Sequence, residues 1–304
     1  MLERSRGLLA AAWATLVSQI VIVGTGGAVR LTDSGLGCTT WPNCEPESFV
    51  PVPEQGIHGV IEFTNRVWGA VVVAIAVVML VMAIRRRVDR SIAWLAGLVL
   101  GLSIAQALIG AVVVWMELRP DTVGVHFFLS VILVALSAVL VWKVVVGPSG
   151  PRVVPRWQSA LVHLMTLALV VVVVMGVLTT GSGPHAGDGG AARNGLDPAV
   201  MQHVHAWPGY ALLALTLAVV AVAWRRGPRL HLRWSLALLG VILVQVAVGI
   251  IQSRLGLPIA LVGIHMVLSV VSAAIGAAVV LSLRPPRTTD ARAAREDASA
   301  VVPA

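Results

Sequence analysis

Val123-Gly124-Val125-His126-Phe127-Phe128-Leu129-Ser130-Val131 returns 139 residues later as Val262-Gly263-Ile264-His265-Met266-Val267-Leu268-Ser269-Val270, identical at six of nine positions. Each copy sits in an apolar run long enough to cross a bilayer, which takes about 20 helical residues. The likeness extends to neighbouring runs. At the same offset Gln106 and Gly110 match Gln245 and Gly249, and at an offset of 140 Glu62, Asn65 and Gly69 match Gln202, His205 and Gly209. The chain therefore reads as two related halves.

Apolar runs span 8–29, 59–84, 92–116, 123–146, 158–180, 199–224, 234–252 and 259–283. The first is too long for the roughly 7–15-residue core of a signal peptide and reads as a true span. With 58% hydrophobic and 12% charged residues among 304, and a mean hydropathy of +0.90, the composition excludes a soluble catalytic domain. The expected fold is all-α: a polytopic membrane protein whose eight transmembrane helices form two pseudo-twofold-related four-helix bundles. Four spans return the chain to its starting side, so the halves share one orientation and their axis runs along the membrane normal. The N-terminal half covers 1–146 and the C-terminal half 158–283. A linker at 147–157, rich in Gly and Pro, joins them, and a tail at 284–304 has a disordered composition.

Seventeen of the 22 Lys and Arg residues fall on one side of these spans and five on the other. By the positive-inside rule both termini are cytoplasmic, and the loops around 30–57, 117–122, 181–198 and 253–258 face outward. The net charge of +8 thus serves orientation. No basic run with interleaved aromatics points to a nucleic-acid partner.

His126, His205 and His265 fall on even-numbered spans within about two turns of the outer surface, with His58 and His203 just outside. An ionisable group inside a span is costly and points to function, although a single histidine can also serve as a hydrogen bond between helices. Histidines at one depth on facing helices suit haem, whose iron takes two axial imidazoles. His205 and His265 make a complete pair in the second half, and Gly209 and Ser269 keep the next turn of each helix small. A zinc site would want a tetrahedral Cys, His and carboxylate cluster, which the sequence does not offer.

The first half differs. His126 is present, but Asn65 stands where the second half has His205, and Glu62 is the only acidic residue inside a predicted span. Glu62, Asn65 and His58 share one helical face. One firm ligand, a weak second ligand and an intramembrane carboxylate suit a substrate better than a permanently held cofactor; the competing role for Glu62 is an ion pair with Arg66. Cys38 and Cys44, in an outward loop, read as a disulfide, serving either as a structural clip or as a redox pair. No Cys-x-x-Cys-His motif calls for covalent haem.

These residues resemble the haem A synthase family. Gly26-Gly27-Ala28-Val29-Arg30-Leu31-Thr32-Asp33-Ser34-Gly35-Leu36-Gly37-Cys38, continuing through Trp41-Pro42-Asn43-Cys44, looks like its first-loop signature. Thr179-Thr180-Gly181-Ser182-Gly183-Pro184-His185-Ala186-Gly187-Asp188 looks like the second-half counterpart in shorter bacterial members. Ile61-Glu62-Phe63-Thr64-Asn65-Arg66 stands where the family shows Glu-x-x-His-Arg. The resemblance implies a bacterial plasma-membrane enzyme that oxidises the C8 methyl group of haem O to the formyl group of haem A by successive hydroxylations, for terminal oxidases. It implies that His205 and His265 ligate a haem b cofactor and its iron, that His126 ligates the substrate iron, and that Glu62 is the catalytic carboxylate. Cys38 and Cys44 are the paired loop cysteines. Asn65 replaces the family's other first-half histidine, leaving His126 alone or with His58 on the substrate. A haem O synthase, an electron-transfer partner and membrane lipid are the implied partners. The rival readings are a cytochrome-b-like electron carrier and a haem transporter.

Overall fold

The computed structural model describes residues 6–147 and 149–284. Among them are eight long α-helices: α1 (Arg6–Leu31), α2 (Gly56–Arg85), α3 (Arg90–Trp115), α4 (Pro120–Val146), α5 (Arg156–Ser182), α6 (Pro198–Arg226), α7 (Arg229–Arg254) and α8 (Ile259–Leu281). All eight are long and apolar enough to cross a membrane, and the architecture is that of an all-α membrane protein. The expected tail lies outside the described residues from 285 onward.

Local chemistry sets the ends. Asp89 caps α3 by accepting from the Ser91 N–H, and Asp197 caps α6 by accepting from the Ala199 and Val200 N–H groups, satisfying donors that the first helical turn leaves open. Proline opens α4 and α6 at a position that needs no N–H. Gly147, at φ 88°, ends α4 in a conformation that other residues resist. One expected boundary moves: α7 begins at Arg229, five residues before the apolar run at 234, because Arg229, His231 and Arg233 interrupt hydropathy without interrupting helical hydrogen bonding.

In the first half, α1 packs on α2 and α4, and α3 on α2 and α4; in the second, α6 packs on α5 and α7, and α8 on α7 and α5. Between the halves α4 lies on α8, α1 on α8 and α4 on α5. The repeat maps these contacts onto one another. Gly124 of α4 meets Val177 of α5, and its repeat partner Gly263 of α8 meets Leu31 of α1. Small buried residues of α8, among them Ser272, Ala273, Ala274 and Gly276, let it approach closely. A Cβ on Gly276 would stand 3.1 Å from Leu169.

Candidate functional site

Within the second half, α5 to α8 surround a cavity into which His205 and His265 both project, with their ring centres 6.1 Å apart and their planes at 79°. Leu169, Val172, Leu212, Ile242 and Val246 give it apolar walls, and Gly209 and Ser269 line it one turn beyond each histidine. Pro208, inside α6, removes the backbone bond that its N–H would make to Val204, beside His205.

Each imidazole rests against a glycine of the neighbouring helix. A Cβ on Gly176 of α5 would lie 3.0 Å from His205 Cε1, and one on Gly249 of α7 would lie 3.3 Å from His265 Cε1. Gln245 donates its amide to the His265 carbonyl at 3.0 Å, fixing that turn of α8. The buried Nδ1 atoms of both rings make no hydrogen bond.

These features fit a haem. Metal–imidazole bonds are about 2.0 Å long, so two rings binding one iron from opposite faces have centres about 6 Å apart. The glycine cradles, the apolar walls and the uncommitted ring nitrogens supply what a flat macrocycle with two axial histidines needs. Among the described residues no group of three or more His, Cys, Asp and Glu side chains offers a competing metal site.

The first half repeats the cradle around one histidine. Gly110 lies 3.6 Å, by its Cβ position, from His126 Cε1, and the Gln106 amide donates to the His126 carbonyl at 2.8 Å and to Ser130 Oγ at 2.6 Å. Asn65 turns to α1 and accepts from Thr25 Oγ1 at 2.7 Å. Its neighbour there is Gly26, 3.8 Å from Asn65 Oδ1 by its Cβ position, so Gly26 stands to Asn65 as Gly176 stands to His205. His58 lies in the first turn of α2 and pairs through Nδ1 with Ser34 Oγ at 2.9 Å.

Glu62, only 4% exposed, is engaged on both oxygens. Oε1 takes Arg66 Nη2 at 2.5 Å and Nε at 3.1 Å, and Oε2 accepts from the Cys38 N–H at 2.7 Å. Arg66 also donates to the carbonyls of Thr40, Asn43 and Cys38. The Glu62–Arg66 ion pair is thus present, and it clamps the loop between α1 and α2 onto α2. Gly37 lies so close to the His58–Gly59 backbone that any side chain there would overlap it. Cys38 and Cys44 are joined, with a Cα–Cα distance of 4.3 Å. A membrane-impermeant maleimide is expected to label neither cysteine before reduction and both after; labelling of unreduced membranes would contradict the linkage.

Gly176 and Gly26 are not evident from residue spacing: Gly176 falls outside the matched motifs, and its counterpart Gly26 is found only once both are seen beside position 205 or 65. Gln106 and Gln245 are visible as a match across the repeat, and the structure adds their shared bond to a histidine carbonyl. Arg30, from the first half, lines the second-half cavity, a placement no local pattern announces. His163 is exposed, and His203 bonds the Ala199 carbonyl on its own helix.

Enlarging a cradle glycine is expected to displace its histidine. Gly249→Val should reduce haem retention roughly tenfold, as changes behind a metal ligand commonly do, while Gly240→Ala, on the same helix with open space around it, should leave it unchanged. Haem-to-protein ratios after gel filtration decide this, and equal ratios in the two variants would contradict the cradle.

Residues 10–275 match the cytochrome oxidase assembly protein family, COX15-CtaA. Among individual relatives, the chain is 27% identical to the heme A synthase of Caulobacter vibrioides, over 93% of this chain and 98% of that one. It is 29% identical to the heme A synthase of an Exiguobacterium species, over 77% and 79% of the two chains. To that of Lysinibacillus sphaericus it is 34% identical, over 48% and 47%.

Proposed function

The chain belongs to the cytochrome oxidase assembly protein family, COX15-CtaA, and from that premise we propose that it is an oxidoreductase converting haem O to haem A. The observation that carries the reading is the inequality of the halves. One has two facing histidines across an apolar cavity; the other has one cradled histidine, an asparagine at the matched position and a buried carboxylate.

In this reading His205 and His265 would hold a haem b, which would supply one-electron redox chemistry. The apolar walls keep water from it. His126 binds the iron of haem O, with Gln106 and Gly110 holding the ring's position. Asn65, tied to Thr25, leaves its amide as a weak second contact, and His58, held through Nδ1 by Ser34 at the start of α2, is the alternative second ligand. Glu62 sits behind the disulfide loop, where it can take or give a proton as the methyl carbon is oxidised, with Arg66 stabilising its charged form. Methyl to formyl is a four-electron oxidation: two hydroxylations, each taking one oxygen atom from an external oxygen donor and exchanging its electrons with the electron-transfer partner, give a geminal diol, and loss of water leaves the formyl group.

The partners are haem O synthase upstream, an electron-transfer protein and the surrounding lipid, in a bacterial plasma membrane with both termini cytoplasmic. The distribution of basic residues supports that orientation. Residues 1–146 form the substrate half, 147–157 the linker and 158–283 the cofactor half. Expression in a bacterium that makes haem O but no haem A tests the function: haem A in the extracted haems supports it, and haem O alone, with the protein present and loaded with haem b, overturns it.

A further inference from the structure

Arg30 ends α1 in the first half, yet its side chain lines the second-half cavity that holds His205 and His265. Its Nε donates to the His185 carbonyl at 2.8 Å and its Nη2 to the Thr180 carbonyl at 3.0 Å. Both acceptors are neutral. Among the described residues the salt bridges are Glu62 with Arg66 and Asp121 with Arg119, so no carboxylate pairs with Arg30, and the cavity lining contains no Asp or Glu. The other charge acting on it, Arg193, is also positive. Arg193 donates to the carbonyls of Gly183 and Pro184 and holds the loop that frames the same end of the cavity.

An enclosed guanidinium with only neutral acceptors is poorly compensated, and an anion placed beside it removes that deficit. The cavity is polar at the end with Arg30 and His185 and apolar at the end with Leu212 and Ile242. Haem b has the matching asymmetry, with two carboxylates on one edge and methyl and vinyl groups around the rest. We infer that Arg30 binds the propionate edge of the haem held by His205 and His265, orienting the macrocycle with its carboxylates toward the outer surface.

This rests on the second-half haem reading and adds a consequence: a first-half residue helps to retain the second-half cofactor. Arg30 crosses between loops already joined by the Gly35 N–H and the Gly187 carbonyl at 2.7 Å. Arg30 is a positioning residue here, since it touches the cofactor's edge and neither the iron nor the reacting carbon. Its guanidinium fork can keep its two backbone acceptors and still present further N–H groups to a carboxylate.

The test uses the full chain, purified from haem-starved cells and carrying His126→Ala so that binding reports on the second half. It is titrated with iron protoporphyrin IX and, separately, with its dimethyl ester. The free acid is expected to bind at least about tenfold more tightly than the ester, the scale of a charge-assisted hydrogen bond. Arg30→Gln should remove most of that preference while keeping the low-spin spectrum, and Arg30→Lys should restore part of it. Equal binding of acid and ester, or a full preference retained in Arg30→Gln, overturns the assignment while leaving the haem site intact. Should Arg30→Gln fail to fold, the acid–ester comparison and Arg30→Lys still decide the matter. Absence of any bis-imidazole spectrum with either compound would instead reject the haem reading beneath it.

Discussion

Replacing His205 or His265 with alanine is expected to abolish the low-spin haem spectrum of the purified protein, whereas His126→Ala keeps most of it. The two second-half rings stand 6.1 Å apart across one cavity, so each would supply one axial bond to the same iron. Removing either would take away one of the two axial ligands, and the apolar walls formed by Leu169, Val172, Leu212, Ile242 and Val246 offer no replacement. His126 has no such partner, because Asn65 occupies the matched place and is bound to Thr25. Absorption spectra of the three variants, normalised to protein, measure the difference. Equal loss in all three would contradict the division between a cofactor half and a substrate half.

The second large effect is expected at Glu62. A carboxylate inside a span costs roughly 2.5–3.5 kcal/mol on insertion scales, and here it is compensated by Arg66 and by the Cys38 N–H. Glu62→Gln keeps the side chain's size and an acceptor for that N–H. Arg66 keeps its three loop carbonyls, so the clamp loses its charge partner but most of its bonds survive. The variant should therefore insert, retain the second-half haem and bind haem O, while haem A formation falls by at least about 100-fold, the usual scale for loss of an acid–base group. Near-normal haem A from Glu62→Gln would reject the proton-transfer role and leave Glu62 as the anchor of the disulfide loop. Loss of protein or of the cofactor would show that the anchor role dominates.

The eight spans and the matched histidines are legible in the sequence because each depends on short-range regularities: run length, charge at the ends, and a motif repeated once. The Glu62–Arg66 pair is legible as well, being one helical turn apart. What spacing does not reveal depends on chain packing. The carboxylate's second partner is a backbone N–H 24 residues earlier in the chain, and nothing in the side-chain pattern marks it. Arg30 counts among the outward cations by position, but packing turns it into a cavity reached through acceptors 150 and 155 residues away. The start of α7 is hidden for another reason: hydropathy registers the hydrocarbon layer, whereas a helix continues into the polar boundary wherever its backbone bonds can be kept.

Mass spectrometry of the haems extracted over time from the purified full chain, reconstituted with haem O, an electron-transfer partner and oxygen, tests most directly whether the first half is a reaction site. Haem O is expected to disappear as a species with one added oxygen rises, followed by the formyl product, and His126→Ala and Glu62→Gln are expected to hold back both while retaining the second-half haem. Recovery of unchanged haem O from wild-type protein whose His205–His265 haem is intact and reducible would contradict this expectation.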